Sequence, residues 1–310
     1  MKDVYQLADL SSREILDAGA DKPARLAVIG HPVSHSASPA MHQAALDAQG
    51  KDVRYIRLEV EPGQVAEAVQ RMRELDFIGC NVTVPHKVEV MECCDELSQD
   101  AQLMNAVNTL IFGEQTLGHN TDAPGLVRAI REEFSIDLAD LKVMIVGVGG
   151  GAGRAAATQC ARIGCDQVWL VNRTLEKAQQ LASELQALGN ELNHLAGPGE
   201  RFTAMAPNDP AIMEAAGHAE LIINATSLGL RSIDPMPLPS GCIEPHHLVY
   251  DMIYNPPSTA LISHAKSVGA RTANGLSMLL HQGALAYECW FPGKTPLEEM
   301  RKGLLTSSDK

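Results

Sequence analysis

Residues 141–154, LKVMIVGVGGGAGR, decide the fold of this chain. The apolar residues 143–146 predict a short buried strand. The glycines that follow predict a sharp turn from the strand into a helix, because glycine permits both a tight turn and the close approach of a ligand to the backbone. The N–H groups and the dipole at the start of that helix favour an anion such as a pyrophosphate. The stretch therefore predicts a dinucleotide-binding α/β domain.

The next apolar run, residues 168–171, ends in Asn172-Arg173-Thr174. Enzymes that use NAD place Asp or Glu at this strand end to bind the ribose 2′-hydroxyl, whereas Arg suits a 2′-phosphate. This strand end carries no acid, so the sequence predicts NADP as the cofactor. The residues predicted to bind it lie in the glycine loop, after the second apolar run and at the strand end 224–227: Gly147, Gly149, Gly150, Gly151, Ala152, Asn172, Arg173, Thr174, Lys177 and Thr226.

Length and composition indicate an ordinary globular protein of about two domains. The chain has 310 residues, of which 45% are hydrophobic and 20% charged. Its net charge of −13 argues against nucleic acid or an anionic membrane as a partner. No run has the length of a membrane span and no signal peptide is visible, so we expect a cytoplasmic protein. A homodimer is compatible with the sequence.

Neither the cysteines nor the histidines predict a metal site. The seven cysteines include no CxxC pair, which indicates reduced thiols. His31, His35 and His42 lie close together in the sequence, but no carboxylate or cysteine completes a ligand set. We therefore expect no bound metal.

The first half alternates strand, helix, strand, helix, strand, which predicts a mostly parallel sheet with its ligands beyond the carboxyl ends of the strands. Its first strand, 26–29, is followed by HPVSHSASPAMHQAAL. Here Ser38 is predicted to be the N-cap of a helix whose first turn contains Pro39. Ser36 and Ser38 would then place two hydroxyls at a helix N-terminus, where a carboxylate can bind.

Further polar residues are expected at the same edge of this sheet. Asn81, Thr83 and Lys87 follow the third strand. Asn108 lies in a further predicted strand, 106–110, and Asp122 follows the strand predicted to pair with it, 115–119. A fold of this kind does not need so many polar groups at one edge, so we interpret them as a substrate site. The predicted domains are a leader at 1–24, a substrate domain at 25–122 and a Rossmann domain at 123–275, with helices at 276–310 packing back on the substrate domain. Residues 197–210 are predicted to be a loop.

Taken together, these segments resemble the shikimate dehydrogenases, including the quinate/shikimate forms, from about residue 26 to residue 293. The motifs that carry the resemblance, in chain order, are Ser36-Ala37-Ser38-Pro39-x-x-His42, Asn81-Val82-Thr83-Val84-Pro85-x-Lys87, Ala106-Val107-Asn108-Thr109, Asn120-Thr121-Asp122, the glycine loop, Asn172-Arg173-Thr174, Asn224-Ala225-Thr226-Ser227, Asp251-Met252-Ile253-Tyr254, and Asn274-Gly275-Leu276 to Gln282. The order of so many motifs is far more specific than any one of them. The chain departs from the common pattern at Gln43, Asn105 and Ser277, in a glycine loop that is one residue longer, and in the extra leader before Leu26.

The resemblance implies an oxidoreductase that reduces 3-dehydroshikimate to shikimate with NADPH, in the biosynthesis of chorismate and the aromatic amino acids. It implies that Ser36 and Ser38 hold the substrate carboxylate and that Lys87 and Asp122 are the catalytic pair. The backbone at Gly275 would lie against the nicotinamide. The ring hydroxyls would be surrounded by Thr83, Asn108, Asp122, Tyr254 and Gln282.

Three alternatives remain open at this stage. A paralogue acting on quinate or another cyclic acid would share all of these motifs. Another two-domain NADP enzyme, such as a methylenetetrahydrofolate dehydrogenase, would not need the twin serines together with the Lys–Asp pair. A non-catalytic module that senses NADP would keep the glycines and Arg173 but would have no use for Lys87 and Asp122.

Overall fold

A computed structural model describes residues 2–191 and 200–308 and divides the chain into two compact units. The first unit comprises Met1–Thr121 and Leu280–Lys310, and the second comprises Asp122–Leu279. Each contains one β-sheet. The predicted class, a two-domain α/β protein with parallel-rich sheets, is confirmed.

The first unit is built on a seven-stranded sheet of order β1-β3-β2-β4-β6-β7-β5, in which β6 runs antiparallel to both of its neighbours. The strands are β1 (Tyr5–Gln6), β2 (Ala24–Gly30), β3 (Arg54–Glu59), β4 (Gly79–Val82), β5 (Glu96–Leu97), β6 (Thr109–Phe112) and β7 (Thr116–His119). The helices are α1 (Arg13–Leu16), α2 (Ser38–Ala48), α3 (Val65–Glu74) and α4 (Gln99–Met104), together with α11 (Leu297–Ser308) and the part of α10 from Leu280 onward.

Residues 2–24, which the sequence suggests only as part of a leader, take part in the structure of the first unit. Tyr5 pairs in parallel with Leu58 at the edge of the sheet. The Arg54 guanidinium, on β3, donates to the Tyr5 hydroxyl at 2.8 Å and to the Leu16 carbonyl at 2.8 Å. Leu16 is fully buried. This segment therefore covers one side of the hydrophobic core of the first unit.

The second unit is a six-stranded, fully parallel sheet of order β10-β9-β8-β11-β12-β13. Its strands are β8 (Val143–Val146), β9 (Val168–Val171), β10 (Phe202–Met205), β11 (Leu221–Asn224), β12 (Leu248–Asp251) and β13 (Arg271–Asn274). Its helices are α5 (Asp122–Phe134), α6 (Gly151–Ile163), α7 (Leu175–Glu191), α8 (Ile212–His218), α9 (Ala260–Val268) and the start of α10 (Leu276–Trp290). The strand order reverses between β8 and β11, as in a Rossmann fold, and ligands bind at such a reversal.

The predicted loop at 197–210 is wrong at four of its residues, 202–205. Residues 202–205 form β10, which pairs in parallel with β9 at the edge of the sheet. Residues 197–199 lie outside the described residues. The four-residue strand FTAM is too short to show the alternation of apolar and polar residues that predicts a strand, and Pro, Gly and Asn residues surround it. Its pairing with β9 stabilises it instead.

His42 lies in the core of the first unit and is fully buried. Its ring stacks on Tyr55 with ring centres 4.6 Å apart and lies 5.3 Å from the Trp290 ring. Burial lowers the pKa of His42 to about 3, because the charged form loses its hydration, and the Asn81 side chain opposes this only in part. His42 is therefore a neutral core residue.

We predict that His42 makes the stability of the first unit depend on pH. The unfolded chain takes up the His42 proton near pH 6.5 and the folded chain only near pH 3. The contribution of His42 to the free energy of unfolding is therefore fully present above pH 6.5. It falls by about 1.4 kcal/mol for each pH unit between pH 6.5 and pH 3. Urea unfolding followed by Trp290 fluorescence, in a Trp169→Phe background, should show the His42 chain losing stability relative to the His42→Phe chain as the pH falls from 7 to 5. A constant difference would contradict the burial of a neutral imidazole.

Candidate active site

A cavity of about 410 Å³ lies at the carboxyl ends of β8, β9 and β11 in the second unit. This is the position of the strand-order reversal, where a Rossmann fold binds its dinucleotide. The predicted cofactor residues that line it are Gly147, Gly149, Gly150, Asn172, Arg173, Thr174, Lys177 and Thr226. Gly151, Ala152 and Gly275 do not line it.

The glycine loop has little room for side chains. Gly147 has φ +98°, and a Cβ there would lie 2.6 Å from the Thr226 methyl group. A Cβ on Gly153 would lie 2.4 Å from the Gly147 carbonyl oxygen, so Gly153 sets the close packing of α6 against β8. Gly153 is not among the predicted site residues, although it occupies the place of the third glycine of the fingerprint with one residue added before it.

The start of α6 supplies hydrogen-bond donors for an anion. Gly150 is the N-cap residue and has no side chain to satisfy the first turn, to which Gly151 and Ala152 belong. The Gly149 N–H is already held by the Asn172 Oδ1 at 3.0 Å, and the Asn172 Nδ2 donates to the Thr174 carbonyl at 2.9 Å. Asn172 therefore fixes the loop, and the first turn of α6 presents the remaining N–H groups.

The charge of this cavity is positive at the end of β9. Arg173 and Lys177 are exposed and line the cavity, and the lining residues within the described part of the chain include no acid. Two cations without a carboxylate favour a 2′-phosphate over a 2′-hydroxyl. The cavity thus fits NADP, in agreement with the sequence prediction.

A buried hydrogen-bond network lies behind the cavity, and the sequence predicts a site role for only one of its members, Thr226. Asp251, fully buried at the end of β12, accepts hydrogen bonds from the Asn224 side chain at 3.0 Å and the Thr259 hydroxyl at 2.6 Å. The Asn224 Oδ1 in turn accepts from the Thr226 hydroxyl at 2.7 Å. Burial raises the pKa of Asp251, and these hydrogen bonds offset part of the shift. Asp251 thus fixes the Thr226 loop from behind. Asx and Thr residues at neighbouring strand ends are the signal that could have revealed it.

Tyr254 and Gly275 lie near each other at the ends of β12 and β13, on a different part of the same sheet edge. The Gly275 N–H donates to the carbonyl of Ile253, the residue before Tyr254, at 3.2 Å. A Cβ on Gly275 would lie 2.1 Å from the Met252 carbonyl oxygen, so the backbones touch there. Burial raises the pKa of the Tyr254 phenol, which stays protonated and can donate a hydrogen bond.

In the first unit, the structure brings Thr83, Lys87 and Asn108 to one edge of the sheet. The Thr83 N–H donates to the Ile29 carbonyl at 2.9 Å, which carries the end of β4 beside the end of β2. The Val107 N–H donates to the Lys87 carbonyl at 2.7 Å. Lys87 is half-buried, and this bond holds its backbone beside the residue that precedes Asn108.

Asn108 is the centre of the polar cluster and is 2% exposed. Its Nδ2 donates to the Thr121 hydroxyl at 2.9 Å and to the Gln282 Oε1 at 3.4 Å. Its Oδ1 accepts from the Thr121 N–H at 2.8 Å. Asp122, the residue after Thr121, is half-buried and begins α5 of the second unit.

The predicted capping role of Ser38 is wrong by one residue. α2 begins at Ser38, and Ala37, which has helical φ and ψ, stands in the N-cap position without a side-chain bond. The Ser36 Oγ instead accepts the Ser38 N–H at 3.3 Å. Ser36 thus uses only an oxygen lone pair here, so its O–H proton remains a donor at the start of α2.

Three single-residue departures from the common pattern have local explanations. Asn105 has φ +48° at the end of α4, a left-handed conformation that glycine adopts most readily and Asn next. The Ser277 hydroxyl bonds the buried Tyr250 hydroxyl at 3.1 Å. Gln43 joins α2 to β3 by accepting the Tyr55 N–H at 3.0 Å. These residues serve the packing of their own units.

Two negative findings concern residues 2–191 and 200–308. No group of three or more His, Cys, Asp or Glu side chains in these ranges is arranged to hold a metal ion. Within the same ranges, every helix is too short or too polar to cross a membrane.

Comparison with known proteins identifies the family. Residues 28–110 match the shikimate dehydrogenase substrate binding domain, residues 128–229 match shikimate / quinate 5-dehydrogenase, and residues 275–305 match the shikimate 5′-dehydrogenase C-terminal domain. A shikimate dehydrogenase (NADP(+)) from Methanopyrus kandleri is 39% identical over 281 residues, which cover 90% of this chain and 93% of the relative.

Two solved structures extend the comparison. The shikimate 5-dehydrogenase from Thermus thermophilus, in complex with NADP(H) and shikimate, is 33% identical with a TM-score of 0.79 over 92% of this chain and 99% of its own. A quinate dehydrogenase from Corynebacterium glutamicum, in complex with NAD, is 27% identical with a TM-score of 0.80 over 91% and 98%. With the family models and the relative from Methanopyrus kandleri, they lead to one conclusion: this chain belongs to the shikimate dehydrogenase family of oxidoreductases.

Proposed function

We propose that this chain catalyses the reversible, NADP-dependent reduction of 3-dehydroshikimate to shikimate, a step in the biosynthesis of chorismate and the aromatic amino acids. The observation that carries the proposal is the pairing of two sites in one chain. The first unit gathers Thr83, Lys87 and Asn108 at one sheet edge, and the second has a dinucleotide cavity with Arg173 and Lys177 at its rim. The relative from Thermus thermophilus binds both NADP(H) and shikimate.

We assign the substrate carboxylate to Ser36 and Ser38. The Ser36 Oγ accepts from the Ser38 backbone and keeps its own proton for donation. Ser38, 6% exposed, has no hydrogen-bond partner for its hydroxyl among the described residues. Two hydroxyl donors at the N-terminus of an 11-residue helix suit a carboxylate.

We assign the hydroxyls of the ring to amide, hydroxyl and carboxylate groups. Neutral hydroxyls need partners that both donate and accept, and the amides of Asn108 and Gln282 and the hydroxyls of Thr83 and Tyr254 do so. Asp122 accepts. A site built to bond hydroxyls discriminates strongly against analogues that lack them, because its buried polar groups would be left unpaired.

We propose Lys87 and Asp122 as the catalytic pair. Bound NADPH supplies the hydride that adds to the ketone carbon of the substrate. The electron pair of the C=O bond then moves to the oxygen, and the Lys87 ammonium donates the proton that turns this alkoxide into a hydroxyl. The positive charge of Lys87 stabilises the oxygen while its negative charge develops. In the reverse direction Lys87 accepts the same proton, and Asp122 orients the amine.

We assign the cofactor to the second unit. The pyrophosphate fits the glycine loop and the first turn of α6, and the 2′-phosphate fits Arg173 and Lys177. Thr226 faces the same cavity from β11, and Gly275 is assigned to the nicotinamide side. All seven cysteines are free of disulfides, which supports a cytoplasmic location.

The decisive experiment is to supply the chain with NADP⁺ and either shikimate or quinate and to follow the absorbance of the reduced nicotinamide. We expect shikimate to be oxidised with the higher kcat/KM. Quinate is the second candidate because a quinate dehydrogenase is among the similar structures. Preference for quinate would move the substrate assignment within the family, and turnover of neither acid would refute the proposal.

Lys87→Ala should lower kcat by about 10²–10⁴, the usual contribution of general acid–base catalysis. The KM for shikimate should change far less, because the carboxylate and hydroxyl contacts remain. Steady-state kinetics in both directions measure this, with Lys22→Ala, a surface lysine of the same unit paired with Asp47, as the control. A weakened KM with unchanged kcat would make Lys87 a binding residue only.

Arg173→Asp should reverse the charge that meets the 2′-phosphate and weaken NADP⁺ binding about 10- to 100-fold, since a charge-assisted contact is lost and a repulsion is added. The affinity for NAD⁺ should stay the same or rise. Kd values from titration calorimetry test this. Lys142→Asp makes the same charge change at the opposite end of β8, and it should leave both affinities unchanged. Equal losses for both cofactors with Arg173→Asp would contradict the assignment.

A further inference from the structure

The loop between β2 and α2, residues 31–37, carries the first of the two serines assigned to the substrate carboxylate. Two backbone bonds hold residues 31–36 of this loop: the His31 N–H donates to the Val84 carbonyl at 3.0 Å and the Ser36 N–H to the Val33 carbonyl at 3.1 Å. The Ser36 carbonyl, by contrast, is held by a side chain. Arg57 on β3 donates to it from Nε at 3.1 Å and from Nη2 at 2.8 Å.

The contact uses one whole edge of the Arg57 guanidinium. A planar guanidinium that aims two N–H groups at one oxygen fixes that oxygen in direction as well as distance, which a lysine ammonium does not do. The Arg57 side chain is 20% exposed, whereas Asp3, which accepts from its Nη1 at 2.7 Å, is 80% exposed. The exposed ion pair with Asp3 contributes little, so the partly buried contact with Ser36 is the stronger one.

The position of the Ser36 carbonyl determines where two hydroxyls point. The Ser36 Oγ bonds the Ser38 N–H at the start of α2. A shift of the Ser36 peptide therefore moves the Ser36 hydroxyl and disturbs the first turn that carries Ser38. No comparable side-chain bond from Arg57 to Ser38 occurs among the described residues.

We propose that Arg57 is a positioning residue for substrate binding: its two-donor contact with the Ser36 carbonyl sets the Ser36 and Ser38 hydroxyls for the substrate carboxylate. The proposal rests on the assignment of these serines under the proposed function. Arg57 acts through Ser36, since its Nε, Nη1 and Nη2 groups all have protein partners.

The test compares Arg57→Gln and Arg57→Lys with the wild-type chain in the oxidation of shikimate by NADP⁺. We expect Arg57→Gln to raise the KM and the Kd for shikimate about tenfold, while kcat and the KM for NADP⁺ stay within about twofold. Arg57→Lys keeps the charge but loses the planar fork, so it should recover less than half of the lost affinity on a logarithmic scale. Shikimate binding without cofactor is measured by titration calorimetry.

Two control variants separate positioning from charge and from general stability. Asp3→Asn removes the exposed ion pair of the same guanidinium and should leave the KM for shikimate within about twofold. Arg71→Gln makes the same charge change on α3, where Arg71 donates to the Leu7 carbonyl at 3.1 Å and pairs with Glu67. It should leave the shikimate constants unchanged. In a Trp169→Phe background, Trp290 fluorescence reports whether each variant keeps the fold of the first unit.

The outcomes distinguish this proposal from the proposed function. If the wild-type chain oxidises shikimate but Arg57→Gln leaves its KM unchanged, the positioning role is refuted and the function stands. Full recovery by Arg57→Lys, or an equal loss in Asp3→Asn, would show that charge alone acts and would also refute it. A wild-type chain that turns over neither shikimate nor quinate would refute the function itself.

Discussion

Asn108 joins the two separate pieces of chain that make up the first unit. The chain leaves this unit after Thr121 and returns to it at Leu280, and the Asn108 amide bonds both Thr121 and Gln282. At 2% exposure the Asn108 amide needs hydrogen-bond partners, and Thr121 and Gln282 provide them. The amide thereby holds three parts of the first unit together: the start of β6, the point at Thr121 where the chain leaves the unit, and helix α10 where the chain returns. The polar edge of the first sheet depends on this junction.

In the second unit, close backbone packing and small polar side chains position the loops around the cavity. Gly147 and Gly153 allow β8 and α6 to approach so closely that a single methyl group at either position would collide with its neighbours. Asp251 then fixes the Thr226 loop through Asn224. A buried carboxylate of this kind is costly, and its hydrogen-bond donors are what make it tolerable. In both units, the polar residues at the strand ends are therefore held in place by buried polar groups behind them, Asn108 in the first unit and Asp251 in the second.

The sequence is sufficient to predict structure and function where a residue type has a single physical use. Glycines after an apolar run, and an arginine instead of an acid at the next strand end, identified the fold and the cofactor. Prediction from the sequence is weaker where contacts between distant residues determine the local structure or the role of a side chain. Ser38 was assigned as the cap because serine is a good N-cap, yet the bond to the Ser38 N–H comes from Ser36. β10 was missed because only its pairing with β9 stabilises it. The roles of Asp251 and Arg57 depend on partners distant in the sequence, which no local pattern reveals.

We propose that the first unit, organised by Asn108, holds the substrate, while the second holds NADP. Titration calorimetry on Asn108→Ala tests this most directly, with shikimate and NADP⁺ titrated separately and Trp290 fluorescence as the check on folding. The account predicts that the Kd for shikimate rises at least about tenfold, because buried donors and acceptors lose their partner, while the Kd for NADP⁺ stays within about twofold. An unchanged Kd for shikimate in the folded variant would contradict it.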